Sequence, residues 1–237
     1  MSRHFAVLFR SYLNIEVAMK IGKTRSNIGW EIEHQYEILS QMIDDIAEHY
    51  QDEALTVEKE VDEIYNKYAN SDYETFSNET QGLDAVLDKP YSLCYEARKI
   101  LFCAIFSYFE SMLYGVIFFY KISVGGTNQI GQLIDKIKKE YDNRYGGRLL
   151  FSESAIQTVC DCYRPLRNYY MHGNINSVKD ISLLECFAKT EDSINDRMCG
   201  NYEIMDNDFL RKALNNVKAF LVAIDDAYTI QLRERTK

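Results

Sequence analysis

Apolar residues recur at helical intervals along most of this chain. Ile32, Tyr36, Leu39, Ile43, Ile46 and Tyr50 follow a 4-3-4-3-4 spacing, which lines one stripe of an α-helix and makes a coiled-coil-like seam. Val57, Val61, Ile64 and Tyr68 resume the stripe after Gln51-Asp52-Glu53-Ala54, so residues 31–68 read as a packed helical hairpin. Its outer face is acidic, with Glu31, Glu33, Glu37, Asp44, Asp45, Glu48, Glu58 and Glu60. That face reads as solvated, with a docking surface for a basic partner as the alternative. Residues 5–21 predict a looser first helix that ends near Gly22. Residues 69–90 are polar and irregular, the pattern of a linker, and divide the chain into an N-terminal helical part (1–90) and a helical bundle (91–237).

Pro90 is expected to open a helix over residues 92–122. Its stretch 101–120 is nearly all apolar, long enough to raise a membrane span. Glu110 sits at the centre of that stretch, where a charge in lipid is costly. The segment therefore reads as the central helix of a bundle, with no membrane partner. Such a carboxylate needs company. Two readings stay open: Glu110 orients Arg167 or His172, or it bonds a tyrosine or backbone group. Further helices are expected over residues 128–145, ended by Gly146-Gly147, and from Ser152, with Glu153 in a favourable first turn. The latter runs to residue 172, bent or restarted at Pro165. Residues 174–203 are mixed and polar, and a final helix spans 206–233. Two prolines and eleven glycines in 237 residues leave long runs without a breaker. The fold class is therefore all-α, a helical bundle with an N-terminal helical extension.

Charge and cysteine usage narrow the function classes. A net charge of −9 argues against indiscriminate nucleic-acid coating. Between Lys121 and Lys179, however, nine basic residues face five acidic ones, a local excess of +4 that includes Lys136, Lys138 and Lys139. Six cysteines form no Cys-x-x-Cys pair, and the first residues lack the apolar core of a signal peptide. Reduced thiols in a cytoplasm are the expectation. Cys160-x-Cys162 with His172 lacks a second ligand pair, so no metal and no cofactor are expected.

The segment with the most chemistry is Arg164-Pro165-Leu166-Arg167-Asn168-Tyr169-Tyr170-Met171-His172-Gly173. A guanidinium grips a phosphate through a bidentate fork and stabilises charge that builds on it. Imidazole moves protons near neutral pH. On an ideal helix Arg167 and His172 lie about 140° apart, whereas Asn168 shares the face of His172 and Arg164 lies about 80° from it. One helix alone does not assemble the Arg–His pair. A two-fold axis beside it would bring a second Arg and His. Tyr163, Tyr169 and Tyr170 offer stacking or packing surfaces. The structural alternative is a histidine that simply ends a helix, where its charge suits the dipole.

The Arg167-Asn168-x3-His172-Gly173 pattern resembles the signature of the HEPN superfamily (higher eukaryote and prokaryote nucleotide-binding domains). The apolar segment 102–115, with Glu110 following Phe109, is similar to the long central helix of that fold. The resemblance covers roughly residues 91–230. It implies a HEPN-type bundle that dimerises and acts as a metal-independent endoribonuclease of prokaryotic toxin or anti-phage defence systems. Arg167, Asn168 and His172 would be catalytic, with Arg164 and Glu110 auxiliary. Lys136, Lys138, Lys139 and Tyr169 would contact RNA. An antitoxin or regulatory protein would be a further partner. Gly173-Asn174 replaces the His-x-Tyr ending of one antitoxin-paired branch, so regulation through that tyrosine is not expected. Some family members are non-catalytic modules that bind nucleotide or a partner protein, which is the competing function.

Overall fold

The structure, a computed structural model, describes residues 28–126, 129–146, 156–172, 178–196 and 202–235. The helix expected over residues 5–21, the Ser152 cap with Glu153, Gly147 and Gly173-Asn174 lie outside the described residues. Among the described residues the chain is all-α but for one antiparallel pair of short strands.

The first seam forms as expected and then departs from a hairpin. α1 (Ile28–Ile46) passes through a π-helical segment (Ala47–Gln51) into α2 (Asp52–Tyr68) without leaving helical backbone angles. No glycine or proline stands between residues 31 and 81 to turn the chain, so one rod results. The extra residue in the π segment rotates the buried stripe. Ile32, Leu39 and Ile43 are buried before it, Ala54 and Val61 after it.

Residues 69–90 are not an irregular linker. Asp72 caps α3 (Tyr73–Thr80), its carboxylate accepting from the Thr75 N–H at 2.9 Å and the Thr75 hydroxyl at 2.8 Å. Gly82, at φ 84°, makes the left-handed turn into α4 (Leu83–Phe119). Pro90 does not open that helix but lies two turns inside it, buried. Most polar residues of α3 (Thr75, Ser77, Asn78, Thr80) are indifferent helix formers, so the Asp72 cap decides their conformation. The hairpin partner of α2 is the first half of α4.

α1, α4 and α8 (Asn207–Arg235) build the core together. Residues 28–46 thus share one core with the later helices, on both sides of the expected boundary at residue 90. α1 runs against α4: Ile28 meets α4 at Gly115, where an added Cβ would lie 2.9 Å from Ile28 Cδ1, and the Tyr108 hydroxyl donates to the Ile32 carbonyl at 2.9 Å. α8 runs parallel to α4, with Phe102 on Phe209 and Phe109 on Phe220 at 5.6 and 5.7 Å. The acidic face of α1 is partly spent on this packing. Asp44 pairs with Arg211 at 2.8 Å and Glu33 with Lys218 at 2.6 Å, both across to α8.

α4 ends in a Schellman turn. The Ile122 N–H reaches back to the Ile117 carbonyl at 2.9 Å and the Lys121 N–H to that of Phe118 at 3.2 Å. Lys121 occupies the left-handed position, φ 52°, where glycine is favoured. Arg144, from α5 (Ile130–Tyr145), donates to the carbonyls of Tyr120 and Lys121 and so satisfies the helix end. Gly146, at φ 66°, ends α5 as its sequence predicts. Tyr120, Tyr141, Tyr145 and Tyr228 cluster beside this end. Among the described residues, Tyr73–Phe119 is the one helical stretch apolar enough to cross a membrane, and 56% of its apolar window is buried inside the protein. That burial is the mark of a core helix.

The segment read as mixed and polar holds α7 (Val178–Thr190) and an antiparallel pair, β1 (Ile194–Asp196) with β2 (Tyr202–Ile204). Ile194 opposes Ile204, and both are buried. Three-residue strands carry too little periodicity to be read in advance.

Candidate functional site

The segment before the motif enters as a π-helical stretch, Thr158–Tyr163, in which the Arg164 N–H bonds the Val159 carbonyl five residues back. Pro165 follows, buried, and lacks the N–H that would continue the ladder. The wider turn absorbs this without a break, and α6 (Arg164–His172) carries the motif as one helix.

Leu166 and Tyr163 fix the inner face of α6. Leu166 is fully buried. Tyr163 packs on Phe102 and Phe209, and its hydroxyl accepts from Asn216 at 2.8 Å. Burial pushes the Tyr163 phenol up to about 12. Tyr170 lies edge-on to Phe102, and its buried hydroxyl has no hydrogen-bond partner among the described residues. Desolvation raises that phenol too.

Arg167 projects toward α4. Its guanidinium lies over the Phe106 ring at 5.9 Å, with Nη2 3.6 Å from Glu110 Oε2 and Nη1 donating to Asn168 Oδ1 at 3.1 Å. The side chains of Arg167 and Glu110 are 24% and 34% exposed, so the pair sits at the surface and not in the middle of the core. Of the two readings of Glu110, its partner is Arg167. The half-exposed pair contributes well under ~1 kcal/mol to stability. Cys103 is adjacent, its thiol pushed up to about 11 by burial against the opposing pull of Arg167.

His172 is exposed in the last turn of α6. Because the helix is uninterrupted from Arg167 to His172, the two side chains leave it about 140° apart. The structure thus brings Glu110, Arg167 and Asn168 together, while His172, one turn beyond Asn168, stands apart from Arg167 within one chain. Arg164 is half-buried near Cys160.

The basic and aromatic candidates divide. Lys136 donates to the Val124 carbonyl and, with the exposed Lys139, lines a cleft between α5 and the loop after α4. Lys138 points elsewhere, toward the side of Cys160. Tyr169 meets Tyr202 of β2 edge to face at 5.4 Å, a packing role that occupies one flank of its ring. Cys160 and Cys162 diverge, the latter toward Cys186, with its thiol raised to about 11 by burial. Among the described residues, no three His, Cys, Asp or Glu side chains converge as a metal site would need.

Sequence reasoning passed over one buried cation. Arg98, almost wholly buried in α4, donates from Nε to Asn207 Oδ1 at 3.0 Å at the start of α8. The signal was present: Arg98 lies in the buried run Cys94, Ala97, Leu101 and Ile105 at helical spacing. Also missed was an exposed aromatic row on α4, Tyr114 and Phe118, because an unbroken apolar run hides which face is turned outward.

Compared with protein-family models, with curated proteins and with solved structures, this chain matches none of them.

Proposed function

We propose that this protein is a metal-independent endoribonuclease of HEPN type, acting in a prokaryotic toxin or anti-phage defence system as a homodimer. One observation carries the reading: α6 holds the Arg167 guanidinium at the surface against Glu110 and Asn168, and exposes His172 in its last turn. An arginine gripped this way is pre-organised for a phosphate and loses little freedom on binding it. Since Arg167 and His172 diverge on one helix, a two-fold pairing of α6 with its copy supplies the missing neighbour.

In the reaction, His172 takes the proton from a ribose 2′-hydroxyl, and the 2′-oxygen attacks the adjacent phosphorus. Arg167 stabilises the charge on the phosphorane-like transition state. The bond to the 5′-oxygen breaks, and a second imidazole of the two-fold pair returns a proton to it. The products are a 2′,3′-cyclic phosphate and a 5′-hydroxyl. Asn168 and Glu110 hold the guanidinium in place.

A second reading draws on the charge distribution. Residues 28–89 carry seventeen acidic and three basic side chains. That surface favours a non-catalytic module that binds a basic partner protein, such as an antitoxin or regulator, or a nucleotide at Arg167. The test is incubation with structured RNAs in excess chelator, alongside Arg167→Ala and His172→Ala. Cleavage with cyclic-phosphate ends, lost in both variants, is expected. No cleavage by the wild type, together with partner binding, moves the assignment to the module.

A further inference from the structure

Glu110 opens a row on α4. Tyr114 and Phe118 follow at four-residue intervals, so the three lie on one face, each about 6 Å beyond the last. Tyr114 is 42% and Phe118 84% exposed, while Val116 and Ile117 between them are buried. Leaving a Phe in water forfeits ~1.5–3 kcal/mol of burial. A cleft of about 290 Å³ lies at the loop that follows the row, lined by Ser123, Gly125, Lys136, Lys139 and Asn143. The carboxylate in that lining, Glu140, is neutralised by Arg144 Nε at 2.8 Å. Lys136 uses one of its three protons on the Val124 carbonyl, which leaves two available to a ligand. Val124 is six residues beyond Phe118, at most about 20 Å of chain.

We propose that this row and cleft form a track for single-stranded RNA leading to Arg167. Bases stack on Tyr114 and Phe118, and Lys136 and Lys139 hold a phosphate in the cleft. Stacking on exposed rings requires unpaired bases, whose faces a duplex hides. The sign of the charge agrees. Glu140 is paired with Arg144, so Lys136 and Lys139 leave the cleft net positive in a chain of net −9, and a polyanion finds a favourable surface there. The proposal rests on the ribonuclease reading for the identity of the strand, and adds its single-strandedness and its path.

The experiment is fluorescence anisotropy of a labelled 12-nucleotide RNA whose 2′-O-methyl riboses block cleavage, single-stranded and as a duplex, with the full-length protein in chelator at several salt concentrations. Phe118→Ala and Lys139→Glu are surface changes, and thermal melts check that both variants fold. Phe118→Ala should weaken single-strand binding about 5- to 150-fold, the loss of one stacked base. Lys139→Glu should weaken it and flatten its salt dependence. Three results overturn the track: unchanged binding in both surface variants, equal affinity for duplex, or no binding by the wild type. If Phe118→Ala alters only sedimentation, the row is a protein contact and the track is wrong. Unchanged binding beside chelator-resistant cleavage removes the track and leaves the ribonuclease reading. Weakened binding in the variants with no cleavage by the wild type does the reverse.

Discussion

Replacing Tyr170 by Phe should stabilise this protein, although the same change at its neighbours should not. The Tyr170 hydroxyl is buried and has no hydrogen-bond partner among the described residues. An unsatisfied buried hydroxyl costs ~1–3 kcal/mol, and removing it leaves the ring contacts with Phe102 and Tyr169 in place. Three other buried phenols are satisfied. Tyr108 bonds the Ile32 carbonyl at 2.9 Å, Tyr228 the Ile137 carbonyl at 3.1 Å, and Tyr163 the Asn216 amide at 2.8 Å. Each of those Phe variants forfeits a net bond of ~0.5–1.5 kcal/mol. Tyr120 should lose more, because its hydroxyl serves Asp225 Oδ1 at 2.5 Å and Thr229 at 2.8 Å. Urea unfolding followed by circular dichroism reads the series, with equal m-values required for the comparison. In a chain of this size ~1 kcal/mol moves Tm by about 2–4 °C. A Tyr170→Phe variant destabilised like the rest would refute the reasoning, since the hydroxyl must then be satisfied.

Lys121→Gly should stabilise by ~0.5–1 kcal/mol, by relieving a left-handed position held by a side chain, and an unchanged urea midpoint would contradict it. Asp225 is buried, and desolvation raises its carboxyl above the ordinary value against the pull of the Tyr120 hydroxyl. A raised folded value means that protonation favours the fold. That contribution is full below the unfolded value of about 3.9 and is lost as pH rises through the folded value. The stability of Asp225→Asn over the wild type should therefore be largest at pH 7 and shrink toward pH 4. A gap that widens on acidification would reverse the sign. Glu110→Gln should change stability by less than ~1 kcal/mol, yet lower kcat for RNA with KM little changed if Glu110 positions Arg167. A KM effect alone would assign Glu110 to substrate binding.

Local pattern determined which residues turn inward. The Ile32–Leu39–Ile43 seam and the inner face of α8 follow from spacing, because a helix repeats every 3.6 residues whatever it packs against, and Gly146 marks the end of α5. The Arg167–His172 segment was legible in the same way, as a helix with divergent side chains. What each face meets was left to the tertiary structure. Polar residues 73–80 became helical once Asp72 capped them, and residues 83–90 joined α4 instead of linking two parts. Arg98 was buried against Asn207, 109 residues away. Glu110 left the expected core and paired with Arg167, and Lys136 was drawn to a loop carbonyl while Lys139 stayed exposed. Periodicity specifies a surface but not its partner, and pairing between distant surfaces depends on where the whole chain closes.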